Sequence, residues 1–317
     1  MTTAIPPNHD QNPLFDSADA HASLVGTNRM EILLFSLGTG ETFGLNVFKV
    51  REVSAAPFIT PSPNMPLGVE GLISLRGNVI PVLSLARVMG LSGADDALGE
   101  TMMITEYSQR TLGFLVSAVD RIVRVEWDRV RAPDNLSSHQ ANNFITAITE
   151  LEDGTLVSIV DVETVLSETF GEAVVGVIHP VKGGHERNVF FADDSAVARR
   201  KITEVLDKLG VRHKHAVNGM EAWNRLDGIA SHAQQTNRSV MDEVDVILVD
   251  AEMPEMDGYV LTRRIKTDKR FEGIPVVMHS SLSSQANRAM GKQVGVDGYV
   301  AKFDADALAE TLRPLLV

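Results

Sequence analysis

Cysteine is absent from the 317 residues, which excludes a disulfide framework, a thiolate nucleophile and a Cys-ligated zinc site. No window comes near the roughly 18 apolar residues that a membrane span requires. The first residues, Met1 to Asn12, lack a basic run followed by an apolar stretch, so nothing there reads as a secretory signal. A basic excess is missing too: 29 Lys+Arg stand against 42 Asp+Glu, a formal net charge of −13. These absences point to a cytoplasmic chain without direct membrane insertion and without nucleic-acid binding. Hydrophobic residues at 44% and charged residues at 22% are an ordinary globular balance, and the length suits two domains.

The chain divides in texture as well as length. Residues 1–185 hold 11 Lys+Arg and 22 Asp+Glu, whereas residues 186–317 hold 18 and 20, so nearly all the acidity lies in the first part. Residues 1–22, rich in Pro, Asn, Asp, Ala and Ser without periodicity, read as a flexible tail. Residues 23–170 carry short β-prone runs: Glu31–Leu37, Thr42–Val47, Val69–Leu75, Val79–Leu85, Met102–Tyr107, Thr111–Val119, Phe144–Glu150 and Thr155–Val160. Arg76-Gly77-Asn78 and Asp153-Gly154 mark tight hairpins. This spacing predicts one small all-β barrel or a pair, closed by a helix from Asp161 to Thr169. Residues 171–187 read as a linker.

Residues 188–317 alternate strand and helix. Strands are expected at Asn188–Ala192, Val211–Val217, Val244–Val249, Ile274–His279 and Gly298–Ala301. The intervening helices include Ala196–Leu209, stopped by Gly210, and one opened by Asn218-Gly219. Five βα units in about 130 residues predict an α/β doubly wound sheet of five parallel strands. In such sheets function gathers at the carboxyl ends of the strands. There stand Asp193 and Asp194, Asp250, Ser280 and Lys302. Three converging carboxylates need a compensating cation, and a hard divalent ion such as Mg²⁺ takes oxygen ligands of this type. Asp250 is then placed as a carboxylate nucleophile toward phosphorus, with Lys302 and Ser280 able to meet phosphoryl oxygens.

Asp193-Asp194, the Asp250 to Pro254 run with Gly258, Ser280, Tyr299 and Lys302 resemble the pattern of response-regulator receiver domains, a flavodoxin-like fold. The resemblance implies that Asp250 accepts phosphate from a histidine kinase. It also implies Mg²⁺ held by Asp194, Asp250 and the Glu252 backbone carbonyl, with Asp193 acting through water. Ser280 and Tyr299 would form a switch pair. Phe303 departs from the proline usual after the lysine, and Gly228–Glu243 is longer than the usual connection.

In the first part, the stretches from Leu34 to Asn46 and from Gly68 to Val82 resemble the chemotaxis coupling protein CheW, a family with two small SH3-like β-barrels that binds the kinase CheA and methyl-accepting chemoreceptors. Fused to a receiver, the arrangement resembles a CheV-type coupling protein. The resemblance implies an adaptor at membrane-associated receptor arrays, not an enzyme, adjusted by phosphorylation of Asp250. Arg76 matches an arginine tied to coupling, though as a residue it reads as a solvated turn. Val47, Val50 and Val53 are candidates for a docking groove, and core packing explains them equally well.

Other readings compete. The receiver could act as a phosphate sink beside a constitutive coupler. An aspartate-nucleophile phosphatase is disfavoured, since position 252 is Glu where such enzymes carry a second aspartate. A transcriptional regulator is disfavoured by the acidic first domain. Each site residue also has a plainer role: an Asp pair after a strand is commonly a helix N-cap, and Ser280 or Lys302 alone would be a turn residue or a surface charge. His213 and His215 share a strand face but lack a third metal ligand nearby, so a solvated edge is expected. Trp127 and Trp223 are expected to pack.

Overall fold

The structure is a computed structural model describing residues 29–91, 99–107, 110–132, 144–172, 174–181, 186–281, 285–302 and 304–316. The expected tail, 1–22, and Phe303 lie outside the described residues.

Strand β1 (Arg29–Ser36) explains the architecture of the first domain. Met30, Ile32 and Leu34 enter one apolar cluster while Leu33 and Phe35 enter another. Successive strand side chains point to opposite faces, so a strand buried on both must separate two cores. With β2 (Thr42–Asn46), β3 (Val50–Ala55), β4 (Val69–Leu75), β5 (Asn78–Ser84), β6 (Thr101–Tyr107), β7 (Arg110–Val116), β8 (Ala118–Glu126), β9 (Ile145–Glu150) and β10 (Leu156–Val160), it builds two five-stranded sheets. Their orders are β8-β1-β2-β10-β9 and β3-β6-β7-β5-β4. Each contains one parallel pair, β2 with β10 and β5 with β7, among antiparallel neighbours. Each sheet also has its own core, around Ile32, Val125, Trp127 and Ile159 in the first and Ile73, Val82, Met102 and Leu115 in the second. A third core, including Leu33, Phe35, Val50, Met103 and Phe114, joins the sheets.

Two local features depart from the sequence reading. The run expected over Thr111–Val119 breaks at Ser117, whose N–H donates to the Ser36 carbonyl at 2.9 Å. Val119 therefore belongs to β8, in the other sheet. Val50–Ala55 is an additional strand, paired with β6. The hairpin between β4 and β5 turns on Arg76 and Gly77 with φ of 50° and 85°, the positive pair of a type I′ turn.

Helix α1 (Val162–Phe170) ends the first domain, capped by Asp161, whose carboxylate accepts from the N–H groups of Glu163 and Thr164. Its span is one residue off each end of the expected helix.

The second domain is an all-parallel sheet of β11 (Asn188–Ala192), β12 (Arg212–Ala216), β13 (Val246–Asp250), β14 (Val276–Ser280) and β15 (Gly298–Ala301) in the order β12-β11-β13-β14-β15. The helices are α2 (Ala196–Leu209), α3 (Gly219–Gln235), α4 (Gly258–Thr267), α5 (Gln285–Val294) and α6 (Ala305–Leu312). All five residues of β13 are buried: Ile247 and Val249 face α3 and α4, whereas Val246 and Leu248 face α2 and α6. The long Gly228–Glu243 connection continues α3 to Gln235 and adds a short helical turn at Val240–Asp242.

The expected linker packs on this domain. Val175 and Ile178 are buried in the α2–α6 core, Lys208 Nζ donates to the Val175 carbonyl at 2.7 Å, and Val181 N–H donates to Leu209. Among the described residues, no helix is long and apolar enough to cross a membrane.

Candidate functional site

The order β12-β11-β13 reverses direction at β11, and the crevice beyond the carboxyl ends of β11 and β13 is where such sheets carry function. Asp193 and Asp194 follow β11, and Asp250 is the last residue of β13. The helix after β11 is capped by Ser195, whose side chain accepts from Ala198 N–H, so the aspartate pair is free of the capping role. Asp193 instead accepts from Ser195 N–H at 3.0 Å, and Arg199 ties down the carbonyls of both aspartates at 2.9 and 2.8 Å. Gly258 lets α4 start against β13. A Cβ there would overlap the Asp250 carbonyl, while its N–H donates to Ala251.

Lys302 follows β15, its N–H donating to the Ser280 carbonyl at 2.9 Å. Its Nζ lies 2.7 Å from Asp250 Oδ2 and 2.9 Å from Asp193 Oδ2. These groups are almost wholly enclosed, with Asp193 at 0%, Asp250 at 3% and Lys302 at 3% exposure. The Asp193, Asp194 and Asp250 carboxylates each offer an oxygen within 4.8 Å of the others. An all-carboxylate donor set without sulfur or nitrogen suits Mg²⁺, so the residues present fit that ion.

The electrostatics reflect crowding. Burial, with Asp193, Asp194 and Glu163 nearby, holds the Asp250 carboxyl well above the ordinary range against the pull of Lys302. Burial raises Asp194 to about 7. Burial opposes ionisation of Asp193 as well, but Lys302 and His279 outweigh it and its carboxyl sits low. Lys302 is kept charged because Asp193, Asp250 and Glu163 overcome its burial. Tyr299 carries a hydrogen bond with Ser280, and burial pushes its phenol up to about 12. Ser280 ends β14, in register with Ala301, and Arg288 lies over the Tyr299 ring.

The site also has residues that sequence reasoning missed: His279, on β14 beside Asp193, belongs to the receiver, and the others come from the first domain. Glu163 Oε1 lies 3.0 Å from Lys302 Nζ and is itself 4% exposed. Thr146 Oγ1 donates to Asp194 Oδ2 at 2.6 Å. Asn46 Nδ2 donates to Glu252 Oε1, and Lys49 Nζ is 3.4 Å from Glu252 Oε2. Burial opposes the charge of Lys49, yet Glu252, Glu163 and Asp194 raise its pKa above the usual lysine value. Glu255 N–H donates to the Trp127 carbonyl at 3.1 Å. Only Glu163 left a trace in the sequence, an acidic residue in a first helical turn, and that trace is identical for an exposed helix end.

The remaining candidates separate. Val47 and Val50 are corrected as docking residues, because both are buried in the core joining the two sheets. Val53 is partly buried against the same core. The intervening turn points Lys49, not the valines, toward the receiver sheet. Arg76 is exposed and pairs with Glu52 at 2.6 Å. His213 and His215 lie on edge strand β12, both against the Phe191 ring, and His213 Nε2 is 3.0 Å from Asp207. Trp127 is buried in the first sheet's core, and Trp223 packs on Phe271 beneath Arg264.

Comparison with known proteins agrees with this division. The CheW-like domain family matches residues 31–170, and the response regulator receiver domain family matches residues 189–313. The molecule is thus a CheW-like domain joined to a receiver. Chemotaxis protein CheV3 of Helicobacter pylori is 30% identical over 277 residues, covering 86% of this chain and 88% of that protein. Chemotaxis protein CheW of Rhizobium meliloti is 27% identical over 143 residues, covering 45% of this chain and 91% of its own. Chemotaxis protein CheY1 of Helicobacter pylori is 32% identical over 126 residues, covering 39% and 92% respectively. The chain belongs to the CheV-type family of chemotaxis coupling proteins.

Proposed function

We propose that this protein couples chemoreceptors to the histidine kinase CheA, and that phosphorylation of Asp250 adjusts the coupling. The observation that carries the reading is Lys302 Nζ bridging Asp250 and Asp193 at the switch point of the parallel sheet. In the transfer, an Asp250 carboxylate oxygen forms a bond to phosphorus as the P–N bond to the kinase's phosphohistidine breaks. The departing imidazole takes a proton. Lys302 and the Ser280 hydroxyl meet the phosphoryl oxygens, and Lys302 offsets the charge that develops on them. Asp193, Asp194, Asp250 and the Glu252 carbonyl would hold Mg²⁺, which supplies further positive charge at the transferring group. Ser280 and Tyr299 report the modified state. The protein acts as an adaptor and phosphoacceptor rather than a turnover enzyme.

Arg76 is proposed as a coupling residue. A non-glycine side chain with φ of 50° sits in a strained region, and its ion pair to Glu52 is exposed. An arginine there, where glycine or asparagine fits better, supports a role outside the fold. The buried contact between Lys302 and Glu163 favours a regulated coupler over a phosphate sink, which needs no contact between its domains.

The test is phosphate transfer from phosphorylated CheA in the presence of Mg²⁺, comparing the full chain with Asp250→Asn. Label on the native chain and none on the variant is the expected result. Equal labelling would remove Asp250 from the reading. Co-sedimentation of the full chain with receptor and kinase tests the coupling half, and failure to bind either would remove it.

A further inference from the structure

We propose that the first domain is a latch over the receiver's acceptor site, and that Asp250 becomes available to a phosphoryl donor only when the latch opens. The inference rests on the reading of Asp250 as the phosphoacceptor.

Five contacts converge on one edge of the receiver. Glu163 occupies the Lys302 ammonium at 3.0 Å, the same ammonium that holds Asp250. Thr146 donates to Asp194 Oδ2 at 2.6 Å, engaging a carboxylate that belongs to the candidate cation site. Asn46 and Lys49 hold the Glu252 side chain. The Trp127 carbonyl accepts from Glu255 N–H, and Glu255 itself stands in the left-handed region with φ of 66°. Three segments of the acceptor site, at Asp194, at Glu252 to Glu255 and at Lys302, are therefore gripped from the other domain.

This grip conflicts with phosphotransfer in two ways. The first is access. Reacting atoms must approach to about 3–3.5 Å in line, and Asp250 with its neighbours Asp193 and Lys302 has almost no exposed surface. A phosphohistidine carried on another protein has no route to it in this conformation. The second is charge. A phosphoryl group brings roughly −1.5 to −2 charges into a space already shared by Glu163 and Glu252. The Lys302 ammonium would exchange Glu163 for phosphoryl oxygens, and the released carboxylate favours separation of the domains.

The contacts themselves suit reversible opening. They are polar, so water can replace each partner, as at domain interfaces that move. Val175 and Ile178 keep the connecting segment on the receiver, which leaves the first domain as the part that swings. Coupling between two such sites is reciprocal. A partner that binds the latch face of the first domain, with Lys49, Thr146 and Glu163, would promote phosphorylation, and phosphorylation would uncover that face.

The experiment uses the full chain, whose lack of cysteine permits clean paired labelling. Spin labels at Glu152→Cys and Lys214→Cys, both exposed positions on opposite domains, report the interdomain distance without Mg²⁺ or phosphodonor. The latch predicts that Glu163→Gln, and independently Thr146→Ala, lengthen or broaden the distance distribution. With acetyl phosphate and Mg²⁺, Glu163→Gln should also label about tenfold faster than the native chain, the factor equivalent to about 1.4 kcal/mol. Distances in both variants that match the native chain, together with an unchanged labelling rate, would overturn the latch. If the distances open but neither native chain nor variant takes label, the latch stands and the phosphoacceptor reading fails.

Discussion

Glu163 and Lys302, 139 residues apart in sequence, meet at 3.0 Å with both side chains buried. One lies at the start of α1 in the CheW-like domain and the other follows the last receiver strand. The pair joins the two domains through the lysine that also holds Asp193 and Asp250.

Removing that lysine leaves three buried carboxylates facing one another. Lys302→Met should cost about 3–5 kcal/mol, the usual penalty for breaking a buried ion pair from one side. Added MgCl₂ should return part of the loss, because the ion stabilises the folded state that binds it. Urea unfolding with and without MgCl₂ measures both effects. A variant as stable as the native chain would show that the lysine network does not hold the site together.

Asp194 sets a pH dependence. Burial, ahead of its charged neighbours, raises its carboxyl from the usual 3.8 to about 7. The folded state thus binds this proton more tightly than the unfolded state. The contribution to stability is complete below 3.8 and is lost as pH rises through about 7. In metal-free buffer, Asp194→Asn should flatten the decline of melting temperature across this window. Mg²⁺ should flatten it as well, since it takes the place of the proton. Thermal melts across the pH range read this directly, and parallel slopes for native chain and variant would contradict the assignment.

Val47 and Val50 behave as core residues. Truncating either to alanine removes two methyl groups from the packed interior and should cost about 2 kcal/mol, transfer and cavity terms together. Chemical unfolding reports the loss. A stability change near zero combined with lost partner binding would return these valines to a docking role.

Arg76 should behave in the opposite way. Asn tolerates the left-handed region at this turn, and the exposed pair with Glu52 contributes only about 0–1 kcal/mol. Arg76→Asn should therefore leave stability within about 1 kcal/mol of the native chain. Capture of receptor and kinase should fall. Unchanged capture would leave Arg76 as a solvated turn residue.

The receiver half was legible because its signals are local and repeated. Each β-run announces its strand, and the residue after the run then lies at the carboxyl edge, which assembles Asp193, Asp194, Asp250, Ser280 and Lys302. The hairpin at Arg76-Gly77 and the stop at Gly210 were readable for the same reason, since each turn chemistry is written within a few residues. The β-rich half was less legible. Val116 and Val119 form one continuous β-prone run, and only the bond from Ser117 to Ser36 divides it between two sheets. Val47 and Val50 looked alike as groove or core, because apolarity does not say which face the chain later covers.

By itself the sequence determined the two fold types, the concentration of acidity in the first part and the carboxylate chemistry of the second. Periodicity, turn residues and strand ends suffice for that, as they act over short stretches of chain. Tertiary structure alone decided that the two domains share one site. Asn46 meets Glu252 across 206 positions, and Glu163 meets Lys302 across 139. A glutamate at a helix start carries the same local signature whether water or a buried lysine faces it. Packing chose the lysine, and with it placed the CheW-like domain against the ammonium that also holds Asp250.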